Sequence, residues 1–347
     1  MAVTISDIAK EANVSLATVS RVLNNSGYVK ESTRIKIEEA IKRMNYVPSA
    51  IARSLSTNES NTIGVIVPDV TNSYFGKLIK GISEIAEKNN LNIILFNCDN
   101  ILEKEIKALY VLKEQRIKGI VMTPGFGQQK HNKEYLQVIN NLNIPIVLVS
   151  ADLKFKKLNG IFVDNVQGGF MATDEFIKQG HKKIAIMTGI LESEPSIERV
   201  IGYKKALKEA GIKINNNYIL NGKFSTDAAY RLTEELLNMD YNQRPTALVV
   251  CSNRMTIGVV KCIKDNGLKI QKDLSVIAFD KVDILDMLGV KMTYIDECPL
   301  ELGKKSMELL CNIFNNKINY TARIVIEPKM IKAEWLNKSY YCDFTYK

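Results

Sequence analysis

Apolar positions in residues 3–46 recur at helical spacing, in three runs separated by short polar breaks. Ile5, Ile8, Ala9 and Ala12 make the first run, and Thr4 with Asp7 three residues on opens it as a capping-box variant. Asn13 and Val14 read as a tight turn, since Asn tolerates a left-handed backbone. Ser15 then caps a second helix in which Val19, Val22 and Leu23 can pack on the first. Leu16, Ala17, Ser20 and Arg21 are left on the opposite face. A third run, 31–45, carries Ile35, Ile37, Ala40, Ile41 and Met44 and stops before Pro48, which biases its neighbour out of the helical region.

Two short helices joined by a tight turn have the layout of a DNA-reading helix-turn-helix, whose second helix enters the major groove. Arg21 can donate bidentately to guanine O6 and N7, and Leu16 and Ala17 can touch thymine methyl groups. Thr4, Ser15, Thr18, Ser20 and Asn24 are short polar residues suited to phosphate oxygens. The competing reading is an ordinary amphipathic helix pair with a solvated Arg21. Residues 49–56 then form a helix-capable octapeptide between Pro48 and a polar run, too short to be stable alone in water. It is expected to fold when DNA or a second copy of the chain supplies contacts, the alternative being a plain tether.

From Thr62 the pattern changes to continuous apolar strands alternating with helices: strands at 63–67, 92–96, 119–122 and 144–149, and helices at 74–88 and 102–115. Near 160–165 the theme restarts, with strands at 183–187, 246–251 and 274–279 and helices at 167–179, 197–210 and 255–266. Such runs signify parallel sheets covered on both faces. The fold class expected is α/β: a helix-turn-helix headpiece followed by two doubly wound α/β subdomains with a ligand cleft between them.

Composition narrows the function classes. The net charge is +9, yet residues 1–60 hold eight Lys/Arg and six Asp/Glu, so basic character is weak support for DNA binding and helix geometry is the stronger warrant. No apolar run approaches the roughly 18 residues that span a bilayer, and the N-terminus does not read as a signal peptide, so a cytoplasmic location without membrane contact is expected. The six cysteines form no Cys-x-x-Cys and there are only two histidines, His131 and His181, so neither a metal site nor a disulfide framework is expected. The first strand leads into Pro68-Asp69-Val70-Thr71 rather than Gly-x-Gly-x-x-Gly, and no Ser-His-Asp set is evident. No cofactor and no enzymatic activity are expected. A sugar-binding transport or sensory protein would lack the headpiece.

The stretches Thr18-Val19-Ser20-Arg21-Val22-Leu23-Asn24, Asn45-Tyr46-x-Pro48 and Ala52-Arg53-Ser54-Leu55 resemble the headpiece of the lactose-repressor (LacI) family of bacterial transcription regulators. The core resembles the same family from Ile63-Gly64-Val65-Ile66-Val67-Pro68-Asp69 to about Glu334, with a core of periplasmic-binding-protein type. The resemblance implies a headpiece over 1–48, a hinge helix and linker over 49–61, and an effector-binding and dimerisation core over 62–347. Within that core it implies a first subdomain of about 62–162 and 294–322 and a second of about 163–293 and 323–336. It also implies DNA contacts from Tyr46, Ser49, Ala52, Arg53 and Leu55, with Leu55 as a minor-groove wedge that bends the duplex. The implied partners are double-stranded DNA with a pseudo-palindromic operator, a second copy of the chain in a homodimer, and a small-molecule effector, a sugar or sugar phosphate.

Position and resemblance together nominate Tyr74, Phe75, Arg199, Phe224, Asn253 and Asp280 as effector residues. An aromatic face with an Arg, an Asn and an Asp suits a sugar, whose C–H surfaces stack while its hydroxyls take paired hydrogen bonds. Arg254 stands where the family has an acid, which suggests a more basic cleft, and Glu297 stands where Gln is usual. Residues 188–192 and 202–207 resemble the catabolite-control branch, whose corepressor is a phosphorylated carrier protein; Glu308 stands where that branch wants an Arg and would repel a phosphoserine. The tail from Tyr340 to Phe344 lies beyond the family pattern.

Overall fold

A computed structural model describes residues 3–24, 26–46, 60–125, 132–153, 157–318 and 320–333. Ser49, Ala52, Arg53 and Leu55 lie outside the described residues, as do His131 and the tail. The chain divides into two units, 1–61 and 62–347.

The first unit contains α1 (Ile5–Glu11), α2 (Leu16–Leu23) and α3 (Glu31–Arg43). Ile8, Ala9, Ala12, Val19, Val22, Ile37 and Ala40 are its buried apolar residues, with Leu23, Ile41, Met44 and Tyr46 packed around them. Asn13 and Asn45 take left-handed backbones at φ 52 and 47, the first in the α1–α2 turn and the second just past α3. Ile35 is 47% exposed, because two residues along a helix turn a side chain by about 200° from Ile37. With so few large side chains inside, this unit has a small stability margin and depends on its helix caps.

The second unit holds two six-stranded sheets. The first comprises β1 (Thr62–Val67), β2 (Asn92–Asn97), β3 (Gly119–Met122), β4 (Ile146–Val149), β5 (Asn159–Val163) and β11 (Arg323–Ile326), all parallel, in the order β11-β5-β4-β3-β1-β2. Helices α4 (Ser73–Lys88) and α12 (Pro299–Phe314) cover one face, and α5 (Leu102–Glu114) and α6 (Lys133–Asn141) cover the other. The second sheet comprises β6 (Ile184–Thr188), β7 (Ile219–Asn221), β8 (Ala247–Val250), β9 (Ser275–Phe279), β10 (Tyr294–Asp296) and β12 (Lys329–Ile331), in the order β12-β10-β9-β8-β6-β7 with β12 antiparallel to β10. It carries α7 (Asn165–Lys178), α8 (Glu194–Glu209), α9 (Thr226–Leu237) and α10 (Asn253–Asp265), and a short α11 (Asp283–Met287) follows β9. Strands β3, β4, β6, β8 and β9 are buried throughout, which is why they read as unbroken apolar runs.

The chain passes between the sheets three times: at Asp164, at Glu297–Cys298 and at Glu327–Pro328. This corrects the expected subdomain boundaries. The resemblance puts Tyr294–Asp296 in the first subdomain, yet it pairs with β9 in the second sheet, and it puts Arg323–Ile326 in the second, yet that strand pairs with β5 in the first. Both are three- or four-residue strands at or beside a sheet edge, too short to carry a pattern that tells one sheet from the other. Between them α12 does return to the first subdomain, packing on α4. The sequence pattern does not predict β7, β12 or the helices α6, α9 and α11.

Candidate functional site

Each nominated reader in the headpiece can be followed from its cap. Thr4 and Asp7 form the full capping box: Thr4 N–H donates to Asp7 Oδ2 at 2.9 Å, and Thr4 Oγ1 accepts from Asp7 N–H at 3.3 Å. The Thr4 hydroxyl and N–H together hold the Asp7 carboxyl below its ordinary range. Ser15 Oγ accepts from Thr18 N–H at 3.2 Å and lies 2.8 Å from the Thr18 hydroxyl, so these two hydroxyls are oriented before any partner arrives. Asn24 Nδ2 donates to Ser20 Oγ at 3.3 Å. On the outer face Leu16 is 50% exposed, Ala17 and Arg21 are exposed, and the Arg21 stem runs beside Gly27. Tyr46 is half-buried against the headpiece core.

In the second unit a cavity of about 530 Å³ opens between the two sheets, and Tyr74, Phe75, Arg199, Phe224, Asn253 and Asp280 all line it. Their placement follows from the topology. Tyr74 and Phe75 begin α4 after β1, Arg199 lies in the second turn of α8, Asn253 begins α10 after β8, and Asp280 directly follows β9. Tyr74 and Phe75 pack edge to face at 5.2 Å between ring centroids. Phe224, at φ 54, lies against Gly189, where any Cβ would overlap its ring.

Arg199 is held from four sides. Its Nε donates to Asn165 Oδ1 at 2.9 Å, Nη1 donates to the Cys251 carbonyl at 2.7 Å, Nη2 pairs with Glu297, and the guanidinium lies 4.3 Å from the Phe279 ring centroid. A Cβ on Gly169 would overlap the Arg199 carbonyl and one on Gly202 would overlap that of Val166, so two glycines let α7 and α8 approach closely enough to bring Arg199 to Asn165. Burial disfavours the Arg199 charge, but Glu297 and the neighbouring acids outweigh it. Neither Glu198, its neighbour in sequence, nor Asp164 is the partner.

The remaining polar groups divide between the subdomains. Burial, then the Glu297 and Asp280 carboxylates, push the Tyr74 phenol well above its ordinary value, and its neutral hydroxyl lies 2.5 Å from Ser150 Oγ. Asp280 adopts a left-handed backbone, φ 62, and accepts from Glu297 N–H at 3.4 Å. Burial and Glu297 raise its carboxyl well above the usual range. Thr123 Oγ1 is buried in the lining and has no hydrogen-bond partner among the described residues.

Asn253 and Arg254 fasten the two subdomains together. Asn253 Nδ2 donates to Asn72 Oδ1 at 2.7 Å and to Ser73 Oγ at 3.0 Å. Arg254 Nη1 pairs with Asp69 Oδ2 at 2.7 Å while Nη2 donates to the Thr71 hydroxyl. The expectation that Arg254 makes the cleft more basic is corrected here, because Asp69 neutralises it. Asp69, Asn72, Thr123, Ser150, Asn165 and Glu297 join the cavity without having been nominated. Five of them sit just past the carboxyl ends of β1, β3, β4, β5 and β10 and were within reach of the rule that ligands of such sheets gather there.

Among the described residues no group of three or more His, Cys, Asp or Glu could hold a metal ion, and no helix is long and apolar enough to cross a membrane. Cys98 and Cys251 are buried free thiols pushed up to about 12, chiefly by burial.

Comparison with known proteins gives a match for each part of the chain. Residues 4–49 match the model of bacterial regulatory proteins of the lacI family, and residues 60–334 match that of periplasmic binding proteins and the sugar binding domain of the LacI family. Catabolite control protein A of Priestia megaterium is 36% identical over 96% of this chain and 98% of its own length. The HTH-type transcriptional repressor PurR of Vibrio atlanticus is 32% identical over 95% of this chain and 97% of its own. The Lac repressor dimer bound to operator and the anti-inducer ONPF superimposes with a TM-score of 0.85 at 24% identity, covering 96% of this chain and 98% of that one, a likeness of fold. A helix-turn-helix reader and a two-sheet binding core thus occur in one chain, in the order these matches require, and the chain belongs to the LacI family of DNA-binding bacterial transcription regulators.

Proposed function

We propose that this protein represses carbohydrate-related genes in the cytoplasm by binding a pseudo-palindromic operator as a homodimer, under the control of a small molecule bound between the core subdomains. The observation that carries the reading is the pairing of an exposed Leu16-Ala17-Arg21 face with a 530 Å³ cleft lined by aromatic rings and polar side chains from both sheets. Two headpieces give the two half-sites, and Leu16, Ala17 and Arg21 read bases while Thr4, Ser15, Thr18, Ser20 and Asn24 hold phosphates. Tyr46, Ser49, Ala52, Arg53 and Leu55 extend the contact towards the operator centre, and Tyr46 also braces the headpiece core. In the cleft, Tyr74, Phe75 and Phe224 offer faces for a sugar ring and Asp280 accepts from its donors. Asn253 holds the subdomains closed, and Arg199 positions the floor. The protein acts by binding, with operator affinity altered by the coupling free energy between the two sites.

Selection from a random DNA library at roughly physiological salt, where phosphate contacts alone bind weakly, tests this reading. An enriched pseudo-palindrome is expected. Recovery of no consensus, with and without a metabolite extract, would remove sequence-specific repression.

A catabolite-control reading, with a phosphorylated carrier protein as corepressor, is favoured by the 36% identity to catabolite control protein A. Against it, Glu308 stands exposed on α12, where it repels a phosphoserine. Operator binding that tightens only when a serine-phosphorylated carrier protein is added would establish this alternative.

A further inference from the structure

The charges lining the cleft are unevenly satisfied. Both arginines are engaged within the protein: Arg199 with Asn165, the Cys251 carbonyl and Glu297, and Arg254 with Asp69 and Thr71. Lys223 is exposed and makes no ion pair among the described residues. On the acidic side, Asp99 is tied to Lys104 and Asn97, and Asp227 is exposed to solvent at the start of α9. Asp280 differs from all of these. It receives one long hydrogen bond, 3.4 Å from the Glu297 N–H, and no described side chain donates to it. A carboxylate has about four acceptor sites, so the floor of the cavity presents an acid with most of its capacity unmet.

Glu297 makes this more than a shortage of donors. Glu297 takes the Arg199 guanidinium, so Asp280 has no cation of its own and keeps its proton until a second cation arrives. A ligand hydroxyl supplies a donor and no charge. An ammonium supplies three donors together with the missing charge, and charge-assisted hydrogen bonds are about twice as strong as neutral ones. A phosphate or carboxylate facing Asp280 would find both arginines already occupied and only the exposed Lys223 left to pair with it. Resting on the reading of this cleft as the effector site, we infer that its effector is an amino sugar whose ammonium group faces Asp280, and that the floor does not take a sugar phosphate.

The rest of the cavity fits the remainder of such a molecule. Tyr74, Phe75 and Phe224 provide apolar faces for the ring, and the Thr123 hydroxyl and Asn72 offer polar partners for its hydroxyls. Asp280 meets further charge or potential charge from every side: Arg199 on α8, Glu297, Asp296 and Cys298 at the second crossing, Tyr74 on α4, and Lys77 and Lys281, which line a neighbouring hollow and pair with Asp283 and Asp286. An ammonium placed among these groups favours the ionised form of Asp280, so below the raised pKa its binding releases a proton and strengthens as pH rises towards that pKa. A neutral sugar shows no such trend.

The test is calorimetric titration of the full-length protein with D-glucosamine, D-galactosamine and D-mannosamine, their parent hexoses, and the corresponding hexose 6-phosphates. At least one amine should bind about tenfold or more tighter than its parent, with the phosphates weakest. Glu297→Gln and Asp280→Asn should each reduce that preference to about threefold or less, with thermal unfolding confirming that both variants fold. If Glu297→Gln fails to fold, Asp280→Asn alone decides. A parent hexose or a phosphate that binds as tightly as the amines overturns the amine inference and leaves the cleft reading standing. If no compound binds, or if an amine binds undiminished to Phe224→Ala and Asp280→Asn alike, the cleft reading falls with it.

Discussion

Arg254 Nη1 lies 2.7 Å from Asp69 Oδ2, joining the first turn of α10 to the loop after β1 across the mouth of the cleft. The side chains are 38% and 23% exposed, so solvent screens the pair and its worth is about 0.2–1 kcal/mol. A double-mutant cycle with Arg254→Ala and Asp69→Ala, followed by urea unfolding, should give a coupling in that range at low salt that shrinks in 1 M salt, where the Debye length is about 3 Å. No coupling at either salt would mean that this contact does not hold the subdomains.

Arg21 is the one exposed guanidinium on the reading face of α2. Arg21→Ala should cost about 1–3 kcal/mol of operator affinity and relax base preference at one position per half-site. Competition binding against single-base variants of the selected operator measures both, and unchanged selectivity removes Arg21 from base readout.

Because the headpiece buries little, its caps carry weight. Ser15→Ala should lower its stability by about 1 kcal/mol, since the N–H of Thr18 loses its acceptor. Thermal unfolding followed by circular dichroism reads this, and a change of a few tenths would mean that water replaces the serine at no cost.

Asp280 predicts a pH trend. Burial and Glu297 raise its carboxyl well above the ordinary carboxylate range, so the native state holds this proton more tightly than the unfolded chain does. Its contribution is therefore complete below about pH 4 and is lost as pH rises through the native pKa. Asp280→Asn removes that loss, and its stability relative to the parent should increase from pH 4 to pH 8. The opposite slope would show that Asp280 is stabilised as a carboxylate. The same variant should keep its operator affinity.

Residues 62–347 contain both sheets and all of the cleft. A truncated protein of these residues should unfold cooperatively, dimerise and show no operator preference. Specific binding by it would displace the reading face from α2.

What was legible in the sequence followed the strength of each local pattern. The headpiece helices and the buried strands were readable because their periods are long or their apolar runs unbroken. The short strands β10 and β11 were assigned to the wrong sheets, since only pairing with distant strands distinguishes them. All six nominated cleft residues line the cavity, because the ends of parallel strands converge on one edge. The bonding among them was not legible: Arg199 finds Glu297, 98 residues away, and Arg254 finds Asp69 across the cleft. Residue type shows that a charge needs a partner, and only the packed fold selects it.

The three strand-to-strand passages at Asp164, Glu297–Cys298 and Glu327–Pro328 restrict how the two halves can move. A single tether would leave every relative rotation free, whereas three anchored side by side resist twisting and sliding and leave bending as the soft motion. Ligands of different chemistry can then change only how far that bend closes and how long it stays closed. The core reports the amount of one signal, and any discrimination among signals must be made by the chemistry of the cleft before the motion begins.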